Sequence, residues 1–325
     1  MRSTPFATAL SFILIFGATL APAQLRQPLA GRNLAGADLS GAELANANLD
    51  GAILTGATLV GADLRGASLR GADLREAYLR EVRARGADFA DAKLGRSDLT
   101  RADLRGANFD GASLALAVLD STRLDDATLR GAFLAGARLT KAQLVKANFE
   151  AAMLAAADLT QAVMTGANFS NADLGAPGLG QPSPRGARLV GVDLTEANLS
   201  DANLTSVNLR EATLTRASLA RARLGSADLT WSRASGADFS GAMLAWVRAY
   251  GADFRSASFR NAHLASAQLV GADLSAADLR GAKLVGTNLN QANLAGVDAS
   301  GAEIRHVLIQ AARNVPSAFK GAKKP

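Results

Sequence analysis

Residues 34–63 read LAGADLSGAELANANLDGAILTGATLVGAD, and the pattern of this stretch decides the fold. A large apolar residue returns at every fifth position, beginning with Leu34, Leu39 and Leu44. From 34 to 299 this column has 54 positions, and 49 of them hold Leu, Phe or Met. A second column, from 37 to 302, lies at the positions two residues before a large apolar slot, and 43 of its 54 positions hold Ala; glycine recurs two residues after the large apolar residue. The five-residue frame therefore runs through nearly the whole chain.

A repeat of five residues is incompatible with one long helix or one flat strand. On a helix each step of five rotates by about 140°, so the large residues would spiral around every side. On a strand an odd step places successive large residues on opposite faces. A short extended segment, in contrast, directs Ala37 and Leu39 to one side and Asp38 to the other. If the chain then turns where glycine tolerates unusual dihedral angles, it coils around a line of inward leucines.

The unit Ala37-Asp38-Leu39-Ser40-Gly41 resembles the repeat of the pentapeptide-repeat protein family. The resemblance implies an all-β fold for residues 24–302, a right-handed quadrilateral β-helix in which four pentapeptides make one coil. It does not imply one activity. Members of the family include fluoroquinolone-resistance proteins that mimic DNA and protect topoisomerases.

The phenylalanines independently support four units per coil. Four of them are separated by multiples of 20 and would stack in one column: Phe89, Phe109, Phe149 and Phe169. Side chains that share a column in this way fill a dense core.

The segment 175–184 interrupts the repeat with three prolines, which do not suit the interior of a β-ladder. The five-residue frame alone leaves open whether this segment is coiled in or looped out. If the segment is omitted from the count, Phe239 and Phe259 return to the phenylalanine column, although Phe254 does not. We therefore predict a protruding loop at 175–184 and about 13 coils.

The segment 1–23 has the composition of a secretory signal. Arg2 precedes the apolar run 6–20, and Ala21-Pro22-Ala23 supplies the small residues of a cleavage site. We expect cleavage after Ala23 and a periplasmic or secreted bacterial protein, with no transmembrane span after cleavage. A retained membrane anchor is the alternative.

Residues 303–325 have the pattern of a short capping helix followed by a basic tail. Ser300 to Glu303 has the form of a capping box, and apolar residues follow at helical spacing from Ile304 to Ala312. Pro316 would stop this helix. The helix would either cover the last coil or pack against its copy in a homodimer.

The composition leaves little material for catalysis. The chain has no cysteine, and its two histidines, His263 and His306, are interpreted as surface residues rather than metal ligands. No phosphate-binding loop, nucleophile elbow or zinc-protease motif occurs. We therefore predict that the protein is not an enzyme and uses no metal and no cofactor.

Two groups of outward residues are candidate binding sites. The first is a basic belt at successive turn positions: Arg65, Arg70, Arg75, Arg80 and Arg85. This belt would suit an anionic partner, or it is a solvated surface neutralised by its own acidic neighbours.

The second group is an aromatic patch with arginines nearby: Trp231, Trp246, Tyr250, Arg233, Arg248 and Arg255. These residue types dominate the energetics of protein interfaces. The alternative is that the rings lie over glycine backbone, such as that of Gly251, and shield it.

The charge decides between the functional hypotheses. The chain carries a formal net charge of +6. We predict an exported, non-enzymatic rod that is a rigid binding or structural scaffold for a protein or an anionic envelope component. Nucleic acid is not favoured as a partner. The alternative, a DNA mimic that binds topoisomerase and confers drug tolerance, should be acidic and cytoplasmic, and this chain is basic and begins with an export signal.

Overall fold

The computed structural model describes residues 29–176 and 186–319. Within them the chain forms a solenoid whose bridging positions run from 33 to 313. Each coil makes four single-residue parallel bridges to the next, as between Asn33 and Ile53 or Asp38 and Thr58, so four pentapeptide units complete one coil. No helix among these residues is long and apolar enough to cross a membrane. The β-solenoid that the repeat predicts is confirmed.

Backbone hydrogen bonds between coils hold every unit in the same way. Leu39 N donates to Thr58 O at 2.7 Å, and Thr58 N donates to Ala37 O at 2.9 Å. At the corner that follows, Gly41 N donates to Val60 O at 2.9 Å. These bonds run along the solenoid axis, because each joins one coil to its neighbour.

The corners of the solenoid contain a residue in the left-handed backbone region. In Gly41 the dihedral φ is +64°, and the same position of later units has the same conformation. Side chains other than glycine also adopt it, for example Leu116 at +59° and Trp231 at +60°. Left-handed backbone costs an L-residue roughly 1–2 kcal/mol relative to the right-handed form. Glycine is therefore frequent at this position because it avoids that cost.

The inward residues form one continuous hydrophobic core. The predicted phenylalanine column is confirmed, since three pairs of rings stack almost in parallel. Their centroids are 4.8 Å apart for Phe89–Phe109, 4.6 Å for Phe149–Phe169 and 4.9 Å for Phe239–Phe259. Phe254 lies edge-on to both Phe239 and Phe259. The inward position one coil before Phe254 is occupied by Ala234, whose side chain is only a methyl group.

The register of the ladder changes across 177–185, a segment that itself lies outside the described residues. Asp158 pairs with Arg188, so the sequence separation of the partners rises from 20 to 30 at this point. Ala187 N donates to Leu174 O at 2.8 Å, the bond that closes an ordinary corner. The coil is therefore continuous here, and the additional length of chain is accommodated at a single corner.

The predicted helix over 303–314 is wrong. Glu303, Leu308 and Arg313 instead form parallel bridges with the preceding coil, so the five-residue frame continues to the end. Val307 and Ile309 are buried as the inward pair of one unit. The apolar spacing fits a period of five as well as a helix, and pairing with an existing coil satisfies the backbone groups at once.

The solenoid ends in the 3-10 helix Ser317–Phe319, the one helix among the described residues. Phe319 is buried and belongs to the same core cluster as the coils. A homodimer through a C-terminal helix has no structural basis, because the predicted helix does not form. The predicted signal at 1–23 and the basic residues after 319 lie outside the described residues.

We expect glycine to stabilise the corners through backbone conformation alone, and two glycines separate this effect from packing. Gly271 has φ +70° and has no atom within 4 Å of the place where a Cβ would stand. Gly225 has ordinary backbone and also has room, its nearest neighbour being Ala245 O at 3.9 Å. Gly271→Ala should lower the free energy of unfolding by about 1 kcal/mol, and Gly225→Ala should leave it unchanged or slightly higher. Equal losses in urea unfolding would contradict this explanation.

Candidate binding surfaces

The outward residues form four walls, one for each bridge of a coil. Wall 1 is the column from Asn33 to Glu303, wall 2 from Asp38 to Leu308, wall 3 from Glu43 to Arg313 and wall 4 from Asn48 to Asp298. Two-residue corners join them in the order 1, 2, 3, 4. Bridge partners in successive coils face the same direction, which decides which candidate residues share a surface.

Aspartate and asparagine are common on the walls because they help to close the corners. The Asp38 carboxylate accepts a hydrogen bond from Ser40 N at 3.0 Å, and Asn48 accepts one from Asp50 N at 2.9 Å. A side chain that hydrogen-bonds the backbone two residues later stabilises a turn. The polar slot of the repeat thus has a structural role.

The basic belt does not form one surface. Arg65, Arg70, Arg75 and Arg80 lie at the four successive corners of one coil, so each points in a different direction. All four also have acidic partners: Arg65–Asp63 at 2.6 Å, Arg70–Asp88 at 2.8 Å, Arg75–Asp73 at 2.5 Å and Arg80–Asp98 at 3.7 Å. Arg85 is exposed and has no salt bridge within the described residues. This geometry favours the interpretation as a self-neutralised surface.

The same pairing rule extends over the described part of the chain. All nineteen ion pairs found there join residues that are 2, 18 or 20 positions apart. A spacing of 2 joins a wall residue to its own corner, and 18 or 20 joins neighbouring coils. Most arginines therefore carry a counterion of the same protein.

Asp63 is the most buried of these acidic partners. Its side chain is 1% exposed and accepts hydrogen bonds from the Arg65 guanidinium, with Arg83 at 3.4 Å on the other side. The hydrogen bonds from Arg65 lower the pKa of Asp63 to about 2, against the opposing effect of burial. Asp63 is thus ionised throughout the physiological range.

Because the pKa of Asp63 is lower in the folded state, its charge stabilises the fold fully above about pH 4, and this contribution is lost as the pH falls through about 2. Asp63→Asn keeps the turn hydrogen bond but removes the charge. It should lower the free energy of unfolding at pH 6 by an amount on the order of 1 kcal/mol, and most of this difference from wild type should be gone at pH 2. Thermal melts between pH 2 and pH 6 measure this.

The control for this prediction is Asp38→Asn, because the Asp38 carboxylate makes no salt bridge and hydrogen-bonds only Ser40. It should cost less at pH 6 than Asp63→Asn. A deficit of Asp63→Asn that persists at pH 2 would contradict the electrostatic origin.

The aromatic residues lie on wall 2 and its two corners. Trp246 stands at the corner that enters wall 2, and Tyr250 stands at the corner that leaves it, with Arg248 on the wall between them. Trp231 is adjacent to Tyr250 in the previous coil, since Trp231 N donates to Tyr250 O at 2.9 Å. The structure therefore brings these four residues to one surface.

Trp231 and Trp246 differ in what their rings touch. A Cβ added at Gly251 would lie 2.1 Å from Cζ3 of Trp231, so the Trp231 ring covers that glycine. This agrees with the shielding interpretation for Trp231. Trp246 is 67% exposed, and no aromatic ring within the described residues stacks on it. Both tryptophans have left-handed backbone, with φ of +60° and +61°.

The three arginines of the aromatic patch separate. Arg248 lies on wall 2 and contacts Asp228 at 3.3 Å. Arg233 lies on wall 3, beyond Trp231. Arg255 lies at the far corner of wall 3 and pairs with Asp253 at 2.7 Å. Only Arg248 therefore shares a surface with all three aromatic residues.

The core beneath Trp231 is unusual. Ser232 and Ala234 are the two inward residues of its unit, and both are small and fully buried. Ser232 Oγ is buried without a hydrogen-bond partner. The edge-on ring of Phe254 in the next coil is the large inward side chain that stacks over this slot.

Sequence reasoning missed a set of apolar residues on wall 1. Phe133, Met153 and Met243 occupy the outward slot, and each is exposed. Phe133 pairs directly with Met153 in the ladder. The spacing of 20 residues between Phe133 and Met153 could have been noticed in the sequence, because it places two large apolar side chains next to each other on the outside of adjacent coils.

The histidines do not form a metal site. His263 lies on wall 1, and His306 lies at a corner with φ +53°. In the part of the chain that the structure describes, no three His, Asp or Glu residues come together as metal ligands.

A coil of four pentapeptides with Ala and Leu inside and left-handed residues at its corners defines a class of pentapeptide solenoids. The sequence model named "Pentapeptide repeats" matches segments that together cover 33–175 and 185–309. The chain therefore belongs to the pentapeptide-repeat family. None of the curated proteins matches it.

Solved structures of the same family are similar to this chain. HetL, a pentapeptide repeat protein involved in heterocyst differentiation regulation from the cyanobacterium Nostoc sp. strain PCC 7120, is 32% identical, with 78% of this chain and 89% of HetL covered and a TM-score of 0.21. QnrB1, a plasmid-mediated fluoroquinolone resistance protein, is 19% identical over 56% of this chain and 86% of its own, with a TM-score of 0.48. Rfr23 from the cyanobacterium Cyanothece 51142 is 22% identical over 45% and 89%, with a TM-score of 0.22.

Proposed function

We propose that this protein is an exported, non-enzymatic scaffold whose aromatic surface on wall 2 binds another protein or an anionic component of the cell envelope. The solenoid supplies a rigid support, because its coils surround a solid core of inward side chains. The binding residues are Trp246, Arg248 and Tyr250, with Trp231 beside them. Pentapeptide-repeat proteins are often structural or binding proteins, and this role agrees with the family.

The exposure of Trp246 carries the proposal. Its ring is among the most exposed large apolar side chains of the described residues, and its backbone adopts a conformation that favours glycine. This exposure does not help folding, because the free energy of burying the ring is lost. Exposed aromatic side chains are typical of binding sites.

The charge distribution favours a protein as the partner over an anionic polymer or nucleic acid. Arg248 shares Asp228 with Arg210, and four of the five belt arginines are paired within the chain. A polymer that binds through counterion release needs several unpaired cations along one face. The DNA-mimic alternative finds no support in these walls, since a chain with a net charge of +6 does not reproduce the acidic surface of DNA.

Export is tested by the mature N-terminus. The full-length chain, expressed in a bacterium, should be recovered from the periplasm or medium with Gln24 as its first residue. Mass spectrometry of the intact protein measures this, and Ala23→Arg, which removes the small residue before the cut, should block processing. A cytoplasmic protein that starts at Met1 would overturn the proposal and revive the DNA-mimic alternative.

Partner binding is tested by crosslinking in intact envelopes. The Trp231→Ala/Trp246→Ala double variant should lose the crosslinked partner that wild type captures, with the melting temperature unchanged or raised, because neither ring is buried. Tyr78→Ala is the matched control, since Tyr78 is an exposed aromatic residue on the same wall. Capture of the same partner by the double variant would refute the role of the aromatic surface.

A further inference from the structure

Wall 1 carries a disproportionate share of the exposed apolar side chains. Of the twelve large exposed hydrophobic residues, four lie on wall 1: Ile53, Phe133, Met153 and Met243. Two more, Leu116 and Trp246, lie on the corner that joins wall 1 to wall 2. Walls 3 and 4 have none among the described residues. Exposed apolar groups that cluster on one face of a soluble protein mark an interaction surface.

The corner between walls 1 and 2 is also unlike the other three. From Ala115 to Gly286 its described positions hold only uncharged residues, most of them Ala, Gly or Ser. Each of the other corners carries Arg, Asp, Glu or Lys over the same coils. Before Ala176 and after Gly186, wall 1 is thus flanked on one side by an uncharged edge.

Several charged residues in the described part of the chain take no part in an ion pair, and four of them lie on wall 1. Asp173, Arg223, Lys93 and Lys283 take part in none of the nineteen ion pairs found among the described residues. Asp173 accepts hydrogen bonds from Gly175 N and the Asn203 side chain, both neutral donors. Wall 1 therefore combines unpaired charges of both signs with exposed methionine and phenylalanine.

We propose that wall 1 is a self-association surface, on which a second copy of the chain packs antiparallel about a two-fold axis at Asn203. Such an axis relates each coil on one side of Asn203 to the coil at the same distance on the other side. The opposed residues are Asp173 with Arg223, Met153 with Met243, Phe133 with His263, Ser113 with Lys283, and Lys93 with Glu303. Each pair occurs twice in the dimer.

This arrangement is complementary in charge and in polarity. Asp173 meets Arg223, which forms no ion pair among the described residues, Lys93 meets an acidic residue, and the two methionines meet each other. Isologous pairing of this kind is the commonest symmetry of soluble oligomers.

Other registers lose the complementarity. A shift by one coil in one direction opposes Lys93 to Lys283 and Asp73 to Glu303, and a shift in the other direction opposes Asp173 to Met243. In a parallel dimer every residue would face its own copy, so that Asp173 would oppose Asp173. Like charges placed opposite each other disfavour the first shift and the parallel dimer, and the second shift leaves Asp173 opposite an apolar side chain.

The absence of cysteine from the sequence allows a direct test with single-cysteine variants of the full chain and a short bismaleimide crosslinker. Asn203→Cys should crosslink to itself. Ser113→Cys and Lys283→Cys should not crosslink alone but should do so when mixed. Thr213→Cys, on wall 3, is the control and should stay monomeric. Self-crosslinking of Ser113→Cys to the same extent as Asn203→Cys, or no crosslinking at Asn203, would overturn the proposal.

Charge reversal tests the same contact without a crosslinker. In sedimentation analysis at roughly 100 µM, wild type should be a dimer, and Arg223→Asp should weaken dimerisation by about tenfold because it opposes two carboxylates. The Asp173→Arg/Arg223→Asp double variant should restore dimerisation, although its melting temperature should be lower, because Asp173→Arg removes the hydrogen bonds from Gly175 N and the Asn203 side chain. A monomeric wild type at this concentration, or a double variant weaker than the single variant, would refute the two-fold at Asn203.

Discussion

The left-handed residue at the corners is the constraint on which the rest of the structure depends. It turns the chain by the same amount after each short wall segment, so that four corners return the backbone to a point one coil further on. This conformation recurs from Gly31 to Asn314, so bridge partners lie one coil apart throughout the described solenoid. The partners are 20 residues apart in sequence except in one coil, where they are 30 apart on all four walls, as in Asp158–Arg188. The core, the four walls and the ion pairs all follow from that fixed register. The occurrence of Leu116 and Trp246 at this position shows that the hydrogen bonds between coils outweigh the conformational cost.

The repeat frame and the phenylalanine column could be predicted from the sequence because both depend only on spacing. The C-terminal units could not be, since Ile304, Val307 and Ala312 fit both a helical period and the inward positions of the five-residue frame. The preceding coil decides between the two by offering backbone partners. The aromatic residues were predicted as one group. Which arginines share their surface was not predicted, because Arg233 and Arg248 lie on different walls that a corner separates. Wall 1 was missed because the outward slot was read as polar, and its apolar exceptions are few among many polar residues.

The surface shows how a basic protein can lack a basic face. Each arginine can reach only a few positions, on its own wall or on the neighbouring coils, and an acidic residue occupies many of them. Arg216–Glu196 and Arg221–Asp201 are examples, in which each arginine contacts at 2.6 Å the acidic residue one coil earlier. Exposed pairs of this kind contribute little to stability, typically about 0–1 kcal/mol each. Their main effect is to weaken the local field that would attract polyanions.

The direction of the hydrogen bonds between coils has a mechanical consequence. Because bonds such as Leu39 N to Thr58 O lie along the solenoid axis, tension applied to the two chain ends acts first on the bonds of the terminal coil. The terminal coil therefore detaches before the hydrogen bonds of the next coil are strained, and the coils separate one after another. Force applied across the axis instead acts on the covalent backbone, which encircles the core in each coil. The solenoid is thus weak under tension along its axis and resistant to force applied across it.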